Sequence, residues 1–233
     1  MNDSKPLCVL ITSGGSIERI DAVRSIVNAS TGELGAKIAE VFLWNGHLVK
    51  YIRGPGAKLP TPTPELSVLD VLTSHDLRVN LIEVLLDNSF DVVIHAMAVS
   101  DFFVEAVYSI SDEFLRKPKL ITKEKNIKLS SESNFLALVL KQTQKAIDVI
   151  KKIQPETILI GFKLTVGAEK EELIRQANEL MKRSDCDFML ANDMNDITDD
   201  RHVGYLLSKN GEIVQAKNKD DIAQMIFSAV ANE

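Results

Sequence analysis

Two turns of small residues near the N-terminus enclose the side chains best suited to bind a phosphate-bearing ligand. The first turn, Gly14-Gly15, ends an apolar run, and the second, Ser30-Thr31-Gly32, precedes a segment with apolar residues at helical spacing. The polar residues between the turns include Asp21, Arg24 and Asn28. Unpaired backbone N–H groups at the start of a helix offer donors and partial positive charge to an anion. Residues 9–35 therefore predict a site for a phosphorylated ligand.

Alternating strand and helix patterns are expected to position these turns at one edge of a sheet. Leu7–Thr12 is a continuous apolar run, typical of a strand buried on both faces, and Glu33–Asn45 has the apolar stripe of a helix. Further strands are predicted at Leu48–Arg53, Leu66–Leu72, Asp91–Ala96, Thr157–Gly161 and Phe188–Leu190. Further helices are predicted at His75–Asp87, Lys145–Ile153, Glu169–Lys182 and Asp220–Val230.

This order of elements predicts the fold class. Strands separated by crossover helices indicate an α/β fold with an open, doubly wound and mostly parallel sheet, similar to a Rossmann fold. Asn210-Gly211, between the strand patterns His202–Ser208 and Glu212–Gln215, predicts a C-terminal β-hairpin. We predict a single α/β domain over residues 1–233.

Residues 102–128 interrupt the alternation. The segment is long and polar, and its lysines are Lys117, Lys119, Lys123, Lys125 and Lys128. Stretches of this length without regular structure are usually lids or disordered segments. We predict a lid or dimerisation flap here and not a domain boundary. Phe135–Leu140, which follows, is apolar and is assigned to neither a strand nor a helix.

The composition excludes several classes of protein. A formal net charge of −6 argues against sequence-independent binding to nucleic acid, which requires clustered lysine and arginine. No apolar run approaches the ~18 residues of a membrane span, and the N-terminus has no signal-peptide pattern. We therefore expect a cytoplasmic protein that contacts no membrane. Cys8 and Cys186 lie in or beside apolar runs, the usual place of buried thiols.

Polar residues follow four of the predicted strands and are expected to converge on one cleft, because open parallel sheets bind ligands at the carboxyl ends of their strands. The four groups are Ser13-Gly14-Gly15-Ser16, Met97-Ala98-Val99-Ser100-Asp101, Gly161-Phe162-Lys163 and Ala191-Asn192-Asp193.

Each candidate also has an ordinary structural explanation. Asn28 could cap a turn, and the lysines and Arg24 could be solvated surface charges. A conventional NAD(P) site is disfavoured, because Gly14-Gly15 lacks the third glycine in register and the second strand ends in Arg53 instead of an acidic residue. No histidine lies at catalytic or metal-ligand spacing, and His202 is expected at the surface. Spacing alone indicates an α/β domain that binds a phosphorylated ligand.

Taken together, these segments resemble the phosphopantothenate–cysteine ligases, in their free-standing bacterial form. In many bacteria this unit is fused behind a flavin-dependent decarboxylase. The most specific match is the pattern D-x-V-R-x-I-x-N-x-S-[ST]-G-x-[LM]-G over residues 21–35. The shorter matches, in the right order, are Ala98-Val99-Ser100-Asp101, Lys128-Leu129-Ser130-Ser131, Gly161-Phe162-Lys163 and Ala191-Asn192-Asp193.

The resemblance implies a reaction in two steps. A nucleoside triphosphate, CTP or ATP, activates the carboxylate of 4′-phosphopantothenate, and the amine of cysteine then attacks the acyl-nucleotide. It implies Mg²⁺ on the triphosphate and a homodimer whose flap reaches across the subunits. The sequence has no room for the decarboxylase, so no bound FMN is expected.

The resemblance also implies roles for individual residues. Asn28 matches an asparagine that holds the acyl-nucleotide, and Lys128 matches a flap lysine that acts in the cysteine step; these are the catalytic candidates. The substrate-binding candidates are Arg24, Gly14, Gly15, Ser30, Thr31 and Gly32. The nucleotide-binding candidates are Met97, Ala98, Ser100, Asp101, Phe162, Lys163, Lys182 and Asn192. No metal ligands are predicted.

The sequence departs from the family pattern at several positions. Family members often have histidine in place of Ala29 and lysine in place of Glu33, and many fused bacterial members have Ala-Ala-Glu in place of Lys163-Leu164-Thr165. These departures concern nucleotide contacts and flap docking. The alternative to a ligase is a catalytically silent nucleotide- or flavin-binding protein on the same scaffold.

Overall fold

The computed structural model describes residues 5–110, 119–130, 135–198 and 201–233. Its strands are β1 (Cys8–Ser13), β2 (Ile17–Arg19), β3 (Ser25–Val27), β4 (Leu48–Arg53), β5 (Leu66–Asp70), β6 (Val92–His95), β7 (Phe102–Ile110), β8 (Lys119–Thr122), β9 (Phe135–Gln142), β10 (Ile158–Thr165), β11 (Phe188–Asp193), β12 (Gly204–Ser208) and β13 (Ile213–Ala216). Its helices are α1 (Glu33–Trp44), α2 (Ser74–Asp87), α3 (Ile150–Ile153), α4 (Lys170–Arg183) and α5 (Lys219–Ala231).

The central sheet confirms the predicted fold class. Its eight strands lie in the order β13-β12-β11-β10-β6-β1-β4-β5, and the neighbours from β11 to β5 pair in parallel. The predicted hairpin, β12 and β13, extends the sheet with antiparallel pairing. The chain moves outward from β1 through β4 and β5 and then returns to the other side of β1 as β6. The carboxyl ends of β1 and β6 therefore meet at a switch point, where open α/β sheets bind their ligands.

Apolar side chains cover both faces of this sheet. On one face α1 and α5 pack through fully buried residues that include Phe42 and Ile226. On the other face α2 and α4 pack through fully buried residues that include Leu77 and Ala177. Burying each large apolar side chain contributes about 1.5–3 kcal/mol, which holds the strand ends in place. None of the helices in the described part of the chain is long and apolar enough to cross a bilayer.

Residues 102–128 contain more regular structure than the sequence indicates. β7 and β8 lie within this segment, and with β9 they form an antiparallel sheet in the order β8-β7-β9, here called the β7–β9 sheet. The register of β7 against β9 shifts between Val104 and Ala106, and the buried residues of β7 are Val104, Ala106 and Val107. This bulge interrupts the alternation by which a strand is recognised in a sequence.

Part of the predicted flap lies outside the described residues. Residues 111–118, which include Lys117, belong to that part; residues 131–134, which follow the flap and include Ser131 of the Lys128-Leu129-Ser130-Ser131 match, also lie outside the described residues. The function of the segment as a lid or dimerisation flap stays a prediction. The helix predicted at Lys145–Ile153 is shorter in the structure, where a 3₁₀ turn at Ile147–Val149 leads into the single turn of α3.

Candidate functional site

The first glycine turn joins the ends of β1 and β6. The N–H of Ala98 donates to the carbonyl oxygen of Gly14 at 2.8 Å, and the N–H of Ser16 donates to the carbonyl oxygen of Ala98 at 3.0 Å. A Cβ at Gly15 would lie 2.0 Å from the carbonyl oxygen of Asn28, so this close approach requires glycine. The structure thus brings Gly14, Gly15 and Ala98 together at the switch point.

Asn28 lies at this junction. Its backbone N–H donates to the carbonyl oxygen of Ser16 at 3.2 Å, and its side-chain Nδ2 donates to the carbonyl oxygen of Ala98 at 3.3 Å. The residue is half-buried, and these two bonds fix its backbone beside Ser16 and its side chain beside Ala98. Sequence spacing alone could not decide between a turn asparagine and a site residue, and the structure places Asn28 among the predicted site residues.

The second turn lies against the first. Gly32 has a φ of 68°, and a Cβ there would lie 3.2 Å from the backbone nitrogen of Gly14. The hydroxyl of Ser13 donates to the carbonyl oxygen of Gly32 at 3.1 Å. Gly32 immediately precedes α1 and has no side chain. It therefore cannot cap the first-turn N–H groups of the helix with a side-chain acceptor. Ser30 and Thr31 accept bonds from the N–H groups of Gly32 and Glu33 at 3.4 Å each.

Arg24 is engaged with its own loop. Its Nη2 and Nε donate to Oδ2 of Asp21 at 2.7 and 3.0 Å, and Nη2 also donates to the carbonyl oxygen of Leu129 at 3.2 Å. The guanidinium holds the pKa of the Asp21 carboxyl well below its usual range. Lys128, next to Leu129, is exposed and lies beside this loop through the backbone of its neighbour. Arg24 therefore contacts the backbone next to Lys128, although no described hydrogen bond joins Lys128 to Asn28.

The residues after β6 are held by backbone and hydroxyl contacts. The N–H of Ser100 donates to Oγ of Ser16 at 2.9 Å, and the N–H of Met97 donates to Oγ1 of Thr12 at 3.4 Å. Met97 and Ser100 are buried, whereas Asp101 is exposed and forms an ion pair with Lys145. The predicted nucleotide wall is therefore a buried or half-buried segment, held by these hydrogen bonds, that ends in an exposed carboxylate.

β10 carries two predicted residues on opposite faces of the sheet. Phe162 is half-buried and packs on the face covered by α1 and α5, and Lys163 points to the other face because side chains alternate along a strand. Lys182 is exposed in the last turn of α4, which leads back to the start of β11. That end of the helix lies at the sheet edge opposite the carboxyl ends, so the structure does not bring Lys182 to the other candidates.

Asn192 is buried and contacts His202, which was predicted to lie at the surface. Nδ2 of Asn192 lies 3.0 Å from Nε2 of His202, and His202 is only 7% exposed. The prediction that His202 is at the surface is wrong, because His202 pairs with Ile197 and its ring contacts Asn192 of β11. Burial lowers the pKa of the His202 imidazole, which favours the neutral ring.

Two carboxylates named in the sequence patterns, Asp193 and Asp21, were given no individual role there. Asp193 accepts bonds from Thr165 Oγ1 at 2.7 Å and from the N–H groups of Gly167, Ala168 and Asn195 at 2.9 to 3.0 Å. These donors lower the pKa of Asp193 and hold the turn after β10. Asp21 was quoted in the pattern at residues 21–35 but was given no role. Neither role could be read from local spacing, since their partners include residues 25 to 108 positions away.

Two lysines compensate the charge of Glu33, at a position where the resemblance described above implies a lysine. Lys58 Nζ lies 2.7 Å from Glu33 Oε1, and Lys219 Nζ contacts Oε2. These lysines lower the pKa of Glu33 to about 2, the hydrogen bond from Lys219 being the largest cause. The positive charges of Lys58 and Lys219 therefore lie beside the start of α1, although Glu33 is acidic.

Comparisons with known proteins agree with this architecture. Residues 5–233 match the family described as DNA/pantothenate metabolism flavoprotein C-terminal domain. The coenzyme A biosynthesis bifunctional protein CoaBC of Methanocaldococcus jannaschii is 31% identical over 224 residues, which cover 95% of this chain and 50% of that protein. The chain thus spans half the length of that relative.

Two solved structures share the fold. The DNA/pantothenate metabolism flavoprotein from Streptococcus pneumoniae matches with a TM-score of 0.84 and 34% identity, over 97% of this chain and 99% of that one. A mutant of Cab2 in complex with phosphopantothenate-cysteine matches with a TM-score of 0.71 and 20% identity, over 97% and 85%. At 20% identity the second match shows the fold alone. The family resemblance predicted from the sequence is confirmed, and this chain belongs to the family of DNA/pantothenate metabolism flavoprotein C-terminal domains.

Proposed function

We propose that this chain is a ligase of coenzyme A biosynthesis, which joins 4′-phosphopantothenate to L-cysteine to give 4′-phosphopantothenoylcysteine. Family membership and the name of the M. jannaschii relative support the pathway. The single observation that carries the reaction is the junction of Asn28 with the two glycine turns, where β1 and β6 end. This junction brings Asn28 beside Gly15, and Gly32, which precedes α1, beside Gly14.

The proposed chemistry needs fixed donors more than acid–base groups. A carboxylate oxygen of 4′-phosphopantothenate attacks the α-phosphorus of the nucleotide, and pyrophosphate leaves. The cysteine amine then attacks the acyl carbon, the nucleoside monophosphate leaves, and the new amide nitrogen loses a proton. Negative charge gathers on phosphate and carbonyl oxygens in both steps, so N–H donors and cations are the groups that stabilise the transition states. A site rich in glycine, asparagine and lysine suits this demand.

In this proposal the candidate residues divide by reactant. The turns at Gly14-Gly15 and Ser30-Thr31-Gly32 bind phosphate-bearing groups, with Arg24 near phosphopantothenate. Asn28 holds the acyl-nucleotide, and Lys128 acts in the cysteine step. The nucleotide contacts are Met97, Ala98, Ser100, Asp101, Phe162, Lys163 and Asn192. Lys182 has no support in the geometry of a single chain, because it lies at the opposite edge of the sheet.

The nucleotide and the metal belong to the same proposal. We propose CTP, or ATP in its place, together with Mg²⁺. The described residues hold no group of three or more His, Cys, Asp or Glu side chains arranged around one point. Mg²⁺ usually keeps several waters and binds through substrate phosphates, so the donor set fits a metal that arrives with the triphosphate. FMN has no part in the proposed reaction, and a cytoplasmic location is proposed with it.

A homodimer is also proposed, on the basis of the β7–β9 sheet. Large apolar side chains that are more than one-third exposed lie on its strands and are divided between its two faces, because neighbouring side chains alternate in direction: Phe102, Leu120, Ile121, Phe135, Leu136, Val139 and Leu140. Exposed apolar clusters of this kind usually mark an interaction surface. A second copy of the chain is the proposed partner, and no contact with nucleic acid or membrane is part of the proposal.

The direct test measures pyrophosphate release by the purified protein with 4′-phosphopantothenate, Mg²⁺ and either CTP or ATP, with and without cysteine. We expect release that requires 4′-phosphopantothenate and turns over only when cysteine is present. The same assay identifies the nucleotide. Absence of release with both nucleotides would instead favour a silent binding protein, and a yellow preparation would indicate a flavin ligand.

A further inference from the structure

The loop between β2 and β3 contains a fully buried carboxylate that the proposed reaction does not use. The Asp21 side chain is 0% exposed. Its Oδ1 accepts bonds from the N–H groups of Val23 and Arg24 at 2.8 and 2.7 Å. Its Oδ2 accepts bonds from Arg24 Nε and Nη2 at 3.0 and 2.7 Å and from the N–H of Leu129 at 3.2 Å. A buried charge is tolerated when its oxygens are this fully satisfied.

The bond to Leu129 joins segments that are 108 positions apart in the sequence. Three further contacts strengthen the junction. The N–H of Ala22 donates to the carbonyl oxygen of Ile127 at 3.1 Å, and Arg24 Nη2 donates to that of Leu129 at 3.2 Å. The Leu129 side chain is 3% exposed and packs in a small cluster with residues of β7 and of the Asp21 loop.

Lys128 therefore lies between two anchored residues. Ile127 and Leu129 are both hydrogen-bonded to the Asp21 loop, whereas the Lys128 side chain is exposed. Fixing the backbone on both sides of a lysine restricts where its ammonium group can reach. Misplacing a catalytic group by about 1 Å can slow a reaction on the order of 100-fold, so an anchor of this kind affects the rate.

We propose that Asp21 is a positioning residue, which holds the backbone of residues 127–129 together with Arg24 and so places Lys128 for the attack of cysteine. This inference rests on the proposed function for its effect on the reaction. It also gives Arg24 a second task beside the predicted contact with phosphopantothenate, since the same guanidinium bonds to Asp21 and to Leu129.

The first variant to test is Asp21→Asn. The amide oxygen of the new asparagine can still accept hydrogen bonds from the N–H groups of Val23 and Arg24, so the local turn is kept. Its NH₂ group takes the place of Oδ2 and cannot accept hydrogen bonds from Arg24 and Leu129. We expect the cysteine step to slow by about tenfold or more and the activation step to change by less than about threefold. Rapid-quench measurement of acyl-nucleotide and product separates the two steps. Equal losses in both steps would overturn the inference.

A double-mutant cycle with Lys128→Gln tests whether Asp21 acts through Lys128. If it does, Lys128→Gln slows the cysteine step much less in the Asp21→Asn background than in the wild type. Losses that multiply would mean that the two residues act independently and would refute the positioning role. Glu172→Gln is the matched control, because it also removes the charge of a carboxylate paired with an arginine, on the exposed face of α4. The rates of activation and of the cysteine step in Glu172→Gln should equal those of the wild type.

Hydrogen exchange separates failure of this inference from failure of the proposed function. The amide of Leu129 should be protected in the wild type and should lose protection in Asp21→Asn, whether or not the protein is a ligase. Unchanged protection would overturn the inference. If the wild type forms no product but the Leu129 amide still loses protection in Asp21→Asn, the anchor stands and the proposed function is refuted. If Asp21→Asn does not fold, Arg24→Lys serves as the second variant in the exchange measurement, because lysine lacks the planar fork with which Arg24 bonds to Asp21 through both Nε and Nη2.

Discussion

Asn28 is held at its backbone and at its side chain, and this fixes the direction of its amide. The N–H donates to Ser16 at 3.2 Å and Nδ2 donates to Ala98 at 3.3 Å. Ser16 and Ala98 are in turn bonded to each other at 3.0 Å. An amide with this support is preorganised, and a polar group that needs no reorganisation is most effective on developing charge.

Replacing Asn28 by aspartate tests this arrangement. Asn28→Asp removes the donor to Ala98 and adds a negative charge beside the proposed acyl-nucleotide. We expect activation to continue and the cysteine step to fall by roughly 100-fold, so acyl-nucleotide accumulates. Quenched samples separated by chromatography would reveal the intermediate. Unchanged turnover in Asn28→Asp would refute the role assigned to this residue.

The turn at Gly14 leaves no room for a side chain, and the cost of this close packing can be measured separately from the cost of the left-handed backbone. Gly14 and Gly46 both have a φ of 80°, but a Cβ at Gly14 would lie 2.5 Å from Ala57 Cβ, and one at Gly46 would meet nothing within 4 Å. Both alanine variants share the cost of a left-handed backbone. We expect Gly14→Ala to lower the free energy of unfolding by about 1–3 kcal/mol more than Gly46→Ala, measured by urea unfolding.

Ala57→Gly provides the control for this comparison. In the Gly14→Ala background it removes the methyl group that the new Cβ would meet, so it should recover part of the lost stability. Equal destabilisation by Gly14→Ala and Gly46→Ala would show that the turn at Gly14 has room for a side chain, contrary to its close approach to Ala57.

At the scale of elements, the sequence predicted the central sheet well and the β7–β9 sheet poorly. Continuous apolar runs such as β1 are readily recognised, because strands covered on both faces contain few polar residues. The strands of the β7–β9 sheet are partly exposed, their neighbouring segment is rich in lysine, and the bulge between Val104 and Ala106 breaks the alternation. The glycine turns were recognisable from composition, whereas the bonds of Asp21 depend on a residue 108 positions away.

The pairing of β1 with β6 buries a histidine directly before the site. Nδ1 of His95 lies 2.8 Å from Oγ1 of Thr12, which also accepts the N–H of Met97 at 3.4 Å. Burial lowers the pKa of His95 from 6.5 to about 4. The neutral ring is therefore part of the structure that holds the end of β6.

This burial predicts how stability depends on pH. Between pH 6.5 and about 4 the unfolded chain binds a proton that folded His95 excludes. The contribution of neutral His95 to the free energy of unfolding is therefore fully present above the pKa of the unfolded state. It is lost as pH falls toward the pKa of the folded state. From pH 7 to pH 5 the loss due to this group is on the order of 2 kcal/mol. Urea unfolding measures this. From pH 7 to pH 5 the free energy of unfolding of His95→Gln should fall by that amount less than the free energy of unfolding of the wild type. Identical pH profiles for the two proteins would contradict the prediction.

At the scale of the whole molecule, the β7–β9 sheet links the proposed chemistry to the proposed assembly. The segment that carries Lys128 lies between β8 and β9, and residues 127–129 are held by the Asp21 loop of the same chain. The exposed apolar side chains lie on the strands of this sheet. A second copy packed against them would bury this surface and restrict the sheet, while the anchor at Leu129 stays within one chain.

Charge placed on this surface should dissociate the proposed dimer. Val139 is 46% exposed on β9, and Leu86 is 69% exposed on α2, away from this sheet. A lysine buried without a partner in an apolar interface costs about 2 kcal/mol or more, so Val139→Lys should raise the dissociation constant roughly 30-fold or more. Leu86→Lys adds the same charge at a helix C-terminus, where it is tolerated, and should leave the dimer intact. Sedimentation equilibrium over a range of concentrations measures both variants. A wild type that stays monomeric throughout, or equal dissociation in the two variants, would refute the β7–β9 sheet as the interface between two copies of this chain.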